Sequence, residues 1–200
     1  MSALKSLFKQ TFIYGLATVL PRMLSFLLVP LYTSEKVLGS PAEYGTVSLI
    51  FSYFVLFNVI LAYGMETAFF RFYNKEDNKD KVIGTSSISL VISSLGFFVL
   101  GYLLIDEISY ITAIDSEFIK LVIWILFLDA LVIIPFAWLR AKTKASKYTV
   151  IKLSNVAINL GLNLFFLLAL PGLAKQSNFW SSIFIEDHQI NYILWANIIA

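Results

Sequence analysis

Residues 118–139 read FIKLVIWILFLDALVIIPFAWL, an apolar run in which Lys120 and Asp129 are the only charged residues. A bilayer core about 30 Å thick requires about 20 apolar residues at a helical rise of about 1.5 Å each. A surface helix of a soluble protein would carry a polar face, and this run has none. The stretch therefore predicts a transmembrane α-helix.

Similar runs precede and follow this stretch. They cover residues 11–32, 43–64, 83–105, 149–171 and 190–200, and the last run is cut short by the end of the chain. In total 58% of the residues are hydrophobic and 14% are charged, whereas charged residues make up about a quarter of a typical soluble domain. We expect an all-α, polytopic transmembrane bundle of about six spans.

Basic residues lie on alternate connections between the runs. Segments 1–10, 71–82 and 140–148 together hold ten lysine and arginine residues, whereas segments 33–42, 106–117 and 172–190 hold two. Because short cytoplasmic loops are enriched in lysine and arginine, we expect the N-terminus to be cytoplasmic and the second set of connections to face outward.

Several classes of function are excluded by the composition. The chain has no cysteine and a single histidine, His188, so a multi-histidine or cysteine-ligated metal site is excluded. No glycine precedes a lysine, so the P-loop of nucleotide hydrolases is absent. The net charge of +2 does not suggest nucleic acid as a partner. We expect no enzyme activity, no cofactor and no metal.

Two charged residues fall near the centres of predicted spans. Arg22 follows Pro21 in the first span, and Asp129 lies in the fourth. A charge at the bilayer centre costs about 2.5–3.5 kcal/mol on insertion scales, so such residues are functional candidates. Two alternatives remain open at this point, namely a static Arg22–Asp129 ion pair and a cavity in which Arg22 binds a diphosphate.

The fifth span carries a polar stripe. Asn155, Asn159 and Asn163 recur at every fourth position, one turn after Lys152, and therefore share one helix face. One interpretation is hydrogen bonding between helices. The other is that the stripe lines a hydrated cavity.

Four motifs resemble those of a known family. They are LPRMLSFLLVPLY at 20–32, LGSPAEYG at 38–45, GMETAFFRFY at 64–73 and LRAKTKASKY at 139–148. In order and spacing they are similar to the Wzx-type O-antigen flippases of the multidrug/oligosaccharidyl-lipid/polysaccharide exporter superfamily. The resemblance implies a MATE-like transporter of two six-helix lobes, with residues 1–200 as the N-terminal lobe and the C-terminal lobe absent from this chain.

The resemblance also implies a function. The protein would flip a polyprenyl-diphosphate-linked oligosaccharide across the bacterial inner membrane for surface polysaccharide assembly, with the bilayer, a polysaccharide polymerase and the assembly machinery as further partners. Arg22 would contact the diphosphate, the asparagine face the sugar hydroxyls, and Asp129 would couple the switch. Glu66 and Arg71, at the cytoplasmic end of the second helix, would form a gate or a surface pair.

Three other functions stay open on sequence grounds. A multidrug exporter of the same superfamily would have a more apolar cavity. A membrane-embedded glycan polymerase or glycosyltransferase would require a long extramembrane loop or a catalytic carboxylate cluster, and no loop in this sequence is long enough. In a non-transporting scaffold, the charges within the spans would serve helix association only.

Overall fold

The computed structural model describes residues 8, 11–12, 15, 19–20, 23 and 26–200. All regular elements within these residues are helical, which confirms the all-α class. The helices are α1 Val29–Tyr32, α2 Glu35–Leu38, α3 Pro41–Ala62, α4 Met65–Lys75, α5 Lys79–Leu103, α6 Ile105–Thr112, α7 Ser116–Ala141, α8 Ala145–Leu164, α9 Leu170–Ala174, α10 Asn178–Ser181 and α11 Gln189–Ile199. A π-helical turn, Phe165–Ala169, joins α8 to α9.

Four helical stretches are long and apolar enough to cross a membrane. They are α3 with α4, then α5, then α7, and then α8 through α9. Many of their apolar side chains point outward, as for Val59 at 69% and Leu103 at 73% exposure. Because soluble monomers rarely expose apolar patches of this extent, these surfaces are suited to lipid. Nine of the 22 residues of the first predicted run, 11–32, lie outside the described residues.

Helix α7 is the central helix of the bundle, with α3, α4, α5, α6, α8 and α11 packed around it. Its buried residues include Ile123, Leu126, Ala130, Ile134 and Ala137, and each is three or four positions from the next. This spacing places them on one face, as in coiled-coil packing. Ala130 and Ala137 are fully buried, and their small size allows neighbouring helices to approach closely.

Two of the sequence motifs mark helix boundaries. In LGSPAEYG, Gly39 adopts a left-handed φ of +75°, Ser40 accepts a hydrogen bond from the Glu43 amide at 3.3 Å, and Pro41 occupies the first turn of α3. These are standard devices for starting a helix. In GMETAFFRFY, Gly64 has a φ of +71° and separates α3 from α4, which only glycine does without strain.

Two predicted connections contain helix. Segment 71–82 includes the end of α4, and segment 106–117 includes most of α6. Hydropathy alone does not reveal α6, because this helix is too short to span a membrane. It is also amphipathic, with Ile105 buried and Asp106 and Glu107 exposed.

Candidate functional site

A cleft of about 420 Å³, mainly apolar but with five polar lining residues, opens between α7, α8 and α11 within the membrane-spanning part of the bundle. Its polar lining consists of Asp129, Lys152, Ser154, Asn155 and Asn197. Asp129 lies about 18 Å from the end of α7, and Lys152 about 10 Å from the start of α8, at the helical rise of about 1.5 Å per residue. We call this the midmembrane cleft.

Asp129 is exposed to the cleft rather than packed in the core. Its Oδ2 accepts a hydrogen bond of 3.1 Å from Nδ2 of Asn58 on α3. One carboxylate oxygen is therefore held by a neighbouring helix. This bond connects the central helix α7 to α3 at the level of the cleft.

Lys152 supplies the positive charge of the cleft. It interacts electrostatically with Asp129 across the space that both line, and its Nζ lies 4.6 Å from the ring centroid of Phe136. A lysine over an aromatic face gains cation–π attraction, which helps to keep an ammonium group in an apolar surrounding. Asn155 lies one turn further along α8 and lines the same cleft.

The rest of the asparagine stripe is used inside the protein. Asn163 is fully buried and its Oδ1 accepts a 2.8 Å hydrogen bond from the Tyr32 hydroxyl. Its Nδ2 donates to the carbonyl oxygen of Asn159 at 2.8 Å and to Oδ1 of Asn159 at 3.2 Å. The stripe therefore divides into Asn155, which faces the cleft, and Asn163, which joins α1 to α8 through Tyr32 and is itself held by Asn159.

The two predicted gate residues, Glu66 and Arg71, have different surroundings. Glu66, at the start of α4, forms an ion pair with Arg140 near the end of α7, and Arg71 is exposed. The Arg140 guanidinium also lies 5.5 Å from the Phe70 ring centroid and 5.6 Å from that of Tyr148. The partner of Glu66 is thus Arg140, which joins α4, α7 and the start of α8.

The remaining predicted site residue, Arg22, lies outside the described residues, as does Pro21. Its contacts with diphosphate or with Asp129 therefore stay predictions. Among the described residues, no group of three histidine, aspartate or glutamate side chains is arranged to hold a metal ion.

Sequence reasoning missed two members of the site. Asn58 is an isolated amide in the apolar run VLFNVILA at 55–62, and the test that singled out Asp129, a polar residue inside a span, would have found it. Arg140 was assigned to a cytoplasmic cluster of basic residues. Its pairing with Glu66 depends on the tertiary contact between α4 and α7, which no local pattern reveals.

A family model described as "Polysaccharide biosynthesis protein" matches residues 7–198, nearly the whole chain. No curated protein and no solved structure matches the chain.

Proposed function

Because the chain belongs to the polysaccharide biosynthesis protein family, we propose that this membrane transporter flips a polyprenyl-diphosphate-linked oligosaccharide. The direction is from the cytoplasmic to the periplasmic leaflet of a bacterial inner membrane. No covalent step is required. The lipid-linked glycan would serve the assembly of a surface polysaccharide.

The midmembrane cleft is the observation that carries this proposal. Asp129 and Lys152 both line it inside membrane-spanning helices, and the charge of Asp129, in the middle of α7, costs about 2.5–3.5 kcal/mol on insertion scales. Helix association needs no such charges, since the core of α7 is built from isoleucine, leucine and alanine. A polar cleft is needed, by contrast, when a hydrophilic group must cross the bilayer.

We propose a role for each polar side chain of the site. Lys152 and Arg22 would neutralise the diphosphate, since ammonium and guanidinium groups both bind phosphate oxygens. Asn155 would hydrogen-bond to sugar hydroxyls. Asp129 would hold Lys152 while the substrate is absent and release it when the diphosphate binds, which couples loading to rearrangement of the cleft.

We propose two further roles for the remaining candidates. Asn159 and Asn163 would position α1 against α8, and the Glu66–Arg140 pair would close the predicted cytoplasmic side. Residues 1–200 would form one lobe of a two-lobe transporter that alternates access around a central cavity.

The proposal is tested in cells that lack the gene, by measuring lipid-linked oligosaccharide on the cytoplasmic leaflet. The wild-type, full-length protein is expected to clear the accumulated intermediate. Arg22→Ala and Lys152→Ala are expected to leave most of it in place, and Lys147→Ala, which removes an exposed lysine of the predicted cytoplasmic side, serves as the matched control.

Two results would contradict the proposal. One is the absence of any accumulated intermediate when the gene is lost. The other is full clearance by a protein that carries both Arg22→Ala and Lys152→Ala. Loss of resistance to aromatic cations together with normal glycan export would assign the protein to drug efflux instead.

A further inference from the structure

A second polar cavity lies at the opposite end of α8 from the first. It has a volume of about 480 Å³ and is framed by the π-helical turn, α9, the 181–187 segment and the start of α11. Its polar side chains include Lys175, Glu186, Asp187 and Gln189, and its aromatic lining includes Phe166 and Tyr192. We call this cavity the outer vestibule, since segment 172–190 is predicted to face outward.

The wall of the outer vestibule is fixed by specific contacts. The Tyr192 ring stacks on Phe166 at 5.5 Å and on Phe184 at 6.4 Å between centroids. The Tyr192 hydroxyl accepts a 2.8 Å hydrogen bond from the Ile185 amide and donates to the Ile183 carbonyl oxygen at 3.2 Å. The loop that presents Glu186 and Asp187 is therefore preformed, which lowers the entropic cost of binding a ligand.

The lining chemistry favours a polyhydroxyl ligand. Carboxylates accept hydrogen bonds, the lysine ammonium donates them, and the Gln189 amide does both; sugar hydroxyls also do both. The aromatic side chains supply apolar lining, which suits the C–H groups of a sugar ring. The volume lies within the range of about 300–1,000 Å³ that is usual for small-molecule sites.

The charge of the outer vestibule argues against an anionic ligand. Glu186 and Asp187 contribute two carboxylates against the single ammonium of Lys175. A diphosphate would therefore be repelled on balance. The midmembrane cleft has a balanced pair, Asp129 and Lys152, so the two cavities differ in the ligand charge they accept.

Both cavities lie along the same two helices. Asn155 of α8 and Asn197 of α11 line the midmembrane cleft, while Phe166, just beyond α8, and Tyr192 of α11 line the outer vestibule. The distance along the helix from Asn155 to Phe166 is about 16 Å at about 1.5 Å per residue. An oligosaccharide of a few sugars spans this distance.

From these observations we infer that the outer vestibule is a binding site for the neutral glycan portion of the transported lipid, separate from the site for its diphosphate. This inference rests on the proposed function. Because the outer vestibule lies near the predicted outer surface, the glycan would reach it late in transport, after leaving the midmembrane cleft.

The test is direct binding by the purified full-length protein in nanodiscs. The probe is the free oligosaccharide released from the cell's own lipid-linked intermediate by mild acid, measured by saturation-transfer NMR and calorimetry. Glu186→Gln combined with Asp187→Gly is expected to weaken glycan binding at least about tenfold, because charged acceptors make the stronger hydrogen bonds. Asp187 has a left-handed φ of +63°, which glycine adopts freely, so this change preserves the loop.

Two controls isolate the effect. Glu107→Gln removes an exposed carboxylate from α6, outside the vestibule, and should bind like wild type. Glu186→Gln alone should give an intermediate loss with an unchanged melting temperature.

The inference is overturned if the wild-type protein binds no free glycan or if the double variant binds it as tightly as wild type. Competition by inorganic diphosphate at the same concentration as the glycan would also overturn it. Retained glycan binding in a protein that fails to flip the lipid would support the site and contradict only the transport function.

Discussion

Asp129 keeps a carboxylate inside a membrane-spanning helix, where it is held by Asn58 and lies opposite Lys152. Asparagine has nearly the same shape and still accepts a hydrogen bond from Asn58, but it has no charge. If Asp129 couples substrate binding to rearrangement, removal of the charge must affect transport more than folding.

We predict that Asp129→Asn lowers the rate of lipid-linked oligosaccharide transport at least about tenfold, a change of about 1.4 kcal/mol in the barrier. The melting temperature in detergent should change little. Asp106→Asn, at an exposed position on α6, is the control. Wild-type transport by Asp129→Asn would remove this residue from the mechanism.

The hydrogen bond between Tyr32 and Asn163 is predicted to stabilise the fold. Tyr32→Phe leaves the Oδ1 of a fully buried amide without its donor, and an unsatisfied buried group costs about 1–3 kcal/mol. We expect Tyr32→Phe and Asn163→Ala each to lower thermal stability in detergent. In a double-mutant cycle the two effects should be less than additive, and strict additivity would show that the bond contributes nothing.

At these residues the sequence was informative only in part. The repeat of Asn155, Asn159 and Asn163 predicted a polar helix face, of which Asn163 hydrogen-bonds to Tyr32 and Asn155 lines the midmembrane cleft. That the cleft is hydrated stays a prediction. The division depends on Tyr32, which reaches Asn163 from a position 131 residues earlier in the chain. Periodicity along one helix does not contain that information.

Among the helices, α5 and α7 pack closely at Gly101. A Cβ added to Gly101 would lie 3.0 Å from Cδ1 and 3.3 Å from Cγ1 of Ile123, a residue that is only 4% exposed. Gly96, on the same helix, has no neighbour within 4 Å of such a Cβ. The two glycines therefore form a matched pair for testing this interface.

We predict that Gly101→Ala destabilises the protein by about 1–3 kcal/mol, the usual cost of overpacking a filled core. Gly96→Ala should be neutral or stabilising, since alanine favours helix by up to about 1 kcal/mol over glycine. Thermal unfolding in the same detergent measures both. Equal stability of the two variants would contradict the close approach of α5 and α7.

The long helices were predictable because each is a nearly continuous apolar run, and the membrane requirement fixes their length. The short helices were not. The pattern did not predict that helix α4 follows the break at Gly64 or that α6 lies within a predicted connection. These amphipathic segments gain their stability from packing on α5 and α7, which the local sequence does not reveal.

For the whole molecule, the distribution of basic residues predicts a cytoplasmic N-terminus. Residues 1–200 contain no cysteine, which suits this segment to labelling of single introduced cysteines. We predict that Ser182→Cys, in the connection predicted to face outward, reacts with a membrane-impermeant maleimide in intact cells, whereas Asp77→Cys, in the turn between α4 and α5, reacts only after the membrane is opened. The reverse labelling pattern would show that the N-terminus faces outward and that segment 172–190 faces the cytoplasm, and would contradict the predicted topology.

The whole account depends on movement of a lipid-linked glycan between leaflets. The most direct measurement uses proteoliposomes that contain the purified full-length protein and lipid-linked oligosaccharide in both leaflets, with a membrane-impermeant glycosidase added outside. The account predicts that the wild-type protein makes nearly all of the glycan accessible, whereas Lys152→Ala leaves about half protected, as in protein-free liposomes. Equal protection with and without the wild-type protein would contradict the central claim.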